Sequence, residues 1–166
     1  MTKKMLLCCL IAMGMAVISC SSKPDANIQK IESLQKQVLA DSKTLNDIEA
    51  HQFVTLQRDF MAYDSMLQYQ NEEQVEKSFE TLQLVHAYIE QFKFTKPLMQ
   101  AEMDTTLHQL DRLKADAESH YLSDSLVTAY LESETDYVNK MSNQVRYFQD
   151  RFNTCQQNLD ALKNQR

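Results

Sequence analysis

The sequence predicts an all-α protein, an antiparallel helical bundle or coiled coil, on three observations. The only glycine is Gly14 and the only prolines are Pro24 and Pro97, so residues 15–166 contain no glycine. Tight hairpin turns draw on residues that tolerate positive φ, glycine above all, and a sheet is hard to build without them. Good helix formers such as Leu, Gln, Glu, Lys, Ala and Met are abundant. Apolar residues also recur at alternating spacings of three and four over long segments, the period of a helix face. A chain of 166 residues suggests one domain.

Four helical segments are expected in order. The first spans Ile28 to about Gln70, with the seam Ile31, Leu34, Val38, Asp41, Leu45 and Ile48. After Ile48 the phase shifts, and the seam resumes as Phe53, Leu56, Phe60, Tyr63 and Leu67. The second segment follows Asn71, an N-cap with Gln74 three residues on, and ends near Phe94. The third opens at Thr95 and Pro97, since proline is tolerated in a first turn, and ends near His120. A break over Ser119 to Asp124, which lacks glycine and proline, separates it from the last helix, Ser125 to Lys163.

The last helix has the most regular seam: Val138, Met141, Val145, Phe148, Phe152, Cys155, Leu159 and Leu162. The outer helices are each about 40 residues and about 60 Å long, and the inner two are about half that. Such lengths suggest a two-helix stalk carrying a four-helix head. An antiparallel register in which paired numbers sum to 193 would set Ile31 against Leu162 and Leu45 against Phe148. The alternative is an extended three-helix coiled coil with one continuous helix from about Leu98 to Lys163.

The N-terminus carries a different signal. Lys3 and Lys4 precede an uncharged run, Met5 to Ser19, that is shorter than the roughly 20 residues needed to span a bilayer. The run ends Val17-Ile18-Ser19-Cys20. This resembles the lipobox of bacterial lipoprotein signal peptides. The resemblance implies cleavage between Ser19 and Cys20, and lipidation of the Cys20 thiol and its new amine. Residues 1–19 would be the signal, residues 20–27 a lipidated tether and residues 28–166 the helical domain. Two or three acyl chains suffice for stable membrane anchoring. Cys8 and Cys9 would leave with the signal. Ser21 after the cysteine implies outer-membrane delivery. The Cys20-Ser21-Ser22-Lys23-Pro24-Asp25 stretch looks like lipoproteins of Bacteroidota, whose surface export needs several acids, where this chain offers only Asp25.

Loss of the signal removes two lysines and no acid, which takes the net charge from −6 to −8. An acidic body without a Lys/Arg cluster disfavours nucleic-acid binding. Each of the four histidines has a carboxylate four residues away: Asp47 and His51, His86 and Glu90, Asp104 and His108, Asp116 and His120. These read as surface contacts, because a di-iron bundle needs Glu-x-x-His motifs and none occurs. Cys155 lies on a seam and reads as a small buried hydrophobe, with an intermolecular disulfide as the other use. Tyr63, Tyr69, Tyr88, Tyr121, Tyr130, Tyr137 and Tyr147 could line a partner surface or pack at helix edges.

Phosphate loops, hydrolase elbows and zinc spacings are absent from the sequence, and no cofactor motif is present. The expectation is a lipid-anchored envelope protein, not an enzyme, that works as a spacer or binds an envelope protein through its helices. Long seams also suit a homo-oligomer. The alternative is a bundle that binds a ligand or metal.

Overall fold

A computed structural model describes residues 26–67, 69 and 72–164. The expected signal peptide and its cleavage point at Ser19 and Cys20, the expected tether before Ala26 and the expected Asn71 cap lie outside the described residues. The described chain is all-α and forms three rods. The first is α1 (Ala26–Asp47), a π-helical segment π1 (Ile48–Phe53) and α2 (Val54–Leu67) in continuous succession. The second is α3 (Glu72–Glu118) and the third is α4 (Asp124–Asn164). At 1.5 Å per residue each rod is about 60–70 Å long.

The π1 segment resolves the phase shift in the first seam. The step from Ile48 to Phe53 is five residues where the heptad pattern wants four. A π turn, with bonds from i to i+5, takes up one inserted residue. Ile48 and Leu56 are both buried, and Phe53 packs against the same core.

Pro97 does not begin a helix, contrary to the sequence expectation. It lies inside α3, which runs unbroken for 47 residues. Proline in a helix interior removes one hydrogen bond and clashes with the carbonyl four residues back, a cost of about 3 kcal/mol. Phase continuity outweighs it. Leu82, Val85, Ile89, Phe92, Met99 and Met103 are all buried at positions that keep one alternation of three and four through the proline. Lys96, at the seam position beside Pro97, reaches across to Glu49 at 2.7 Å. A break there would put the two halves of this stripe out of register.

The break at 119–123 stands, so the three-helix alternative holds in its number of rods among the described residues but not in its continuous helix from Leu98 to Lys163. His120 takes φ 53°, the left-handed conformation that glycine usually supplies. The Tyr121 N–H donates to the Asp116 carbonyl at 3.0 Å and the His120 N–H to the Ala117 carbonyl at 3.2 Å. These are the two bonds of a Schellman stop. Histidine is among the residues enriched in this conformation. Ser123 then starts α4, its carbonyl accepting from the Leu126 and Val127 N–H groups.

Three rods and two turns run up, down and up, so the first and last rods are parallel. This overturns both the stalk and the register summing to 193. α3 runs antiparallel to the first rod: Lys114 meets Glu32 at 2.7 Å, Gln100 donates to Ser42 at 2.9 Å and Tyr63 bonds Ser78 at 3.1 Å. α4 runs parallel to it: Thr128 donates to Asn27 at 3.4 Å, Gln37 to Ser142 at 2.8 Å and Lys163 to Asp59 at 2.9 Å. Ile31 and Leu162, expected to pair, sit near opposite ends of the bundle. All three rods contribute to one core.

The middle of that core is aromatic. Phe53 from π1 lies 5.3 Å from Phe92 and 6.1 Å from Phe152, and Phe92 meets Phe148 and Phe152 edge-on at 5.4 and 5.0 Å. Tyr88 joins them and donates its hydroxyl to the Phe148 carbonyl at 2.9 Å. The inserted residue of π1 and the proline of α3 flank this cluster at one level of the bundle.

Candidate interaction surface

α3 has a second stripe that faces away from the core. Leu84, Ala87, Gln91, Phe94, Leu98 and Ala101 follow spacings of three, four, three, four and three, and all six are exposed. Leu84 is 55% exposed, Phe94 75% and Leu98 53%. Helix geometry places such positions on one face, so this is a seam, apolar but for Gln91, without a partner in the bundle. It spans 18 residues, or about 27 Å.

α4 supplies the other wall. A groove of about 220 Å³ is lined by Leu84, Ala87 and Gln91 of α3 and by Tyr147, Arg151 and Thr154 of α4. The Arg151 guanidinium stacks 5.4 Å above the Tyr147 ring. Farther along, partial burial raises the Tyr137 hydroxyl pKa, helped by the nearby carboxylates of Glu102 on α3 and Glu134 on α4. Tyr137 and Tyr147 are 41% and 44% exposed. Aromatic residues with one apolar and one polar end are favoured at interfaces.

A second groove, about 470 Å³, lies near the turn between the first two rods. It is lined by Phe60 and Leu67 of α2 and by Val75, Phe79, Leu82 and His86 of α3. The His86 ring packs on Phe60 at 5.7 Å. Phe79 is half exposed, and Tyr69 in the turn is almost fully exposed.

The sequence-derived candidates are distributed as follows. Tyr63 and Tyr88 are core residues, and the other five tyrosines are exposed. Cys155 is buried, and burial pushes its thiol pKa up, away from the reactive range. His120 serves the turn after α3. Glu90 is held below the usual carboxylate range mainly by its bond to Lys93, with His86 adding a smaller effect. Among the described residues no group of three or more His, Cys, Asp or Glu could hold a metal ion. Among them no helix is long and apolar enough to cross a membrane.

Sequence reading missed the outer seam. Its signal was present as a second alternation of three and four on α3, but Phe94 and Leu98 flank Pro97 and were divided between two expected helices.

By fold, the described chain is a three-helix bundle of the up-down-up kind. The chain matches no known family model, no curated protein and no solved structure.

Proposed function

We propose that this is a lipid-anchored cell-envelope protein, not an enzyme, that acts as a protein-interaction module through the α3/α4 face. The observation that carries the reading is the exposed seam from Leu84 to Ala101. A solvent-facing heptad stripe is costly to solubility and is retained where something covers it. The lipobox-like Val17-Ile18-Ser19-Cys20 supports attachment through Cys20 after removal of residues 1–19. Ser21 supports the outer membrane as the destination.

Two measurements test the reading. Cells fed a clickable palmitate analogue should label the chain, and Cys20→Ser should abolish the label and release the chain from membranes. A photo-crosslinking amino acid at Phe94 should trap a protein in intact cells, whereas one at exposed Lys43 on α1 should not. Equal trapping at both positions contradicts the role of the seam.

A second reading is favoured by the groove at Phe60 and Phe79, whose size and lining suit an apolar molecule. Native mass spectrometry of the purified chain would show a stoichiometric added mass, lost in Phe60→Glu.

A further inference from the structure

We propose that the occupant of the outer seam is a second copy of this chain, docked antiparallel about a two-fold axis between Gln91 and Phe94. The inference rests on the reading of the α3/α4 face as an interaction surface, and it names the partner.

The sequence of sizes along the seam carries the argument. In order it reads Leu84, Ala87, Gln91, Phe94, Leu98, Ala101. Laid against its own reverse, Leu84 meets Ala101, Ala87 meets Leu98 and Gln91 meets Phe94. Each small side chain faces a large one, and the Gln–Phe pair is the most polar contact. Two helices can then approach at a constant separation along the whole seam. A parallel pairing would instead set Phe94 on Phe94 and Ala87 on Ala87, a bulge beside a void, which close-packed interfaces avoid. A two-fold contact needs one patch that is complementary to itself, and this one is.

Charge and area agree. Along α3, the antiparallel register brings Glu90 to the level of Thr95 and Glu102 to the level of Gln83 in the copy, so neither of these two acids opposes an acid. At about 200 Å² for a fully exposed large side chain, Leu84, Phe94, Leu98, Tyr137 and Tyr147 offer roughly 500 Å² per copy. A symmetric pair would bury roughly 1,000 Å², the lower limit for a specific interface. The axis lies about 40 Å along the bundle from Ala26. The two Ala26 residues then lie at opposite ends, about 80 Å apart, and a pair anchored in one membrane through both Cys20 residues lies along it.

The test uses the full-length chain purified in detergent. Ala87→Cys/Leu98→Cys should oxidise to a disulfide-linked dimer, because positions 87 and 98 of one helix are about 16 Å apart and cannot bridge within a chain. Leu98→Cys alone should stay monomeric on the same gel. Sedimentation should show a dimer that Phe94→Glu dissociates with helicity unchanged, as expected for an exposed position. Crosslinking by Leu98→Cys alone, or a monomer with no 87–98 disulfide, overturns the proposal. If the chain is monomeric while the Phe94 photo-crosslinker still traps another protein, the copy is wrong and the interaction surface stands. If nothing is trapped at Phe94, both fall.

Discussion

The Ser142 hydroxyl of α4 donates to the Asp41 carboxylate of α1. Asp41 is the one polar residue in the first half of an apolar seam, and Ser142 is one of three buried polar residues among those described. Gln37 donates to the same hydroxyl at 2.8 Å. In the register summing to 193, Asp41 would face Phe152 and find no polar partner. In the parallel arrangement it meets a donor, and the pair fixes the register of α4 against α1, as a single polar seam position can.

Ser142→Ala should therefore lower stability by about 1 kcal/mol, which is about 2–4 °C in Tm for a chain of this size. Asp41→Leu/Ser142→Ala should recover that loss or exceed it, because an apolar pair needs no desolvated partner. Thermal melts of the two variants check both statements. An equal or larger loss in the double variant would contradict the pairing.

Asp59 on α2 accepts from Lys163 at 2.9 Å and from Gln156 at 3.2 Å, both on α4. The bond from Lys163 is the main reason its carboxyl sits below the usual range. A depressed carboxylate contributes stability above its unfolded pKa and loses it as pH falls through the folded value. Asp59→Asn should cost up to about 1 kcal/mol at neutral pH, the scale of a surface ion pair. Urea midpoints of wild type and variant should converge as pH drops below the carboxylate range. A gap that widens in acid would be the wrong sign.

His120 occupies a position that glycine fills at less cost. His120→Gly relieves about 1–2 kcal/mol of left-handed strain and loses about 0.5–1 kcal/mol to chain entropy. A net gain of about 0.5 kcal/mol is expected, and His120→Val, β-branched, should lose at least about 1 kcal/mol. Urea denaturation of the two variants tests the assignment of the turn.

Deleting Ala50, an exposed residue of π1, removes the inserted residue and restores a four-residue step from Ile48 to the old Phe53. The chain should stay folded, with stability changed by about 1 kcal/mol or less. Deleting exposed Lys36 puts Ile31 and Leu34 out of phase with the rest and should cost several kcal/mol, as whole core side chains turn outward. Circular dichroism melts of the two deletions would show the contrast.

Much of the fold was legible in the sequence. The missing glycines and the period of the seams gave the helices, and the phase shift after Ile48 falls where π1 lies, although its π-helical form was not foreseen. The turn at His120 was also placed, although no glycine announced it. Pro97 was misread because a local rule, that proline opens helices, competed with a stripe running from Leu82 to Ala117. Tertiary burial of Phe92 and Met99 on either side decided for the stripe. Once Pro97 no longer divided a helix, the number of rods became odd and the first and last rods became parallel. One local misreading thus reversed the relation of two well-predicted helices. The outer seam was lost to the same division, since Phe94 and Leu98 lie across it.

The parallel packing of the first and last rods is the claim on which the exposed α3/α4 face depends. Spin labels at the exposed positions Lys30 and Ala161 of an otherwise label-free chain test it by dipolar spectroscopy. Lys30 stands level with α4 about 30 residues before Ala161, so the predicted separation is about 45 Å. A distance below about 20 Å, as adjacent antiparallel helices would give, contradicts the arrangement.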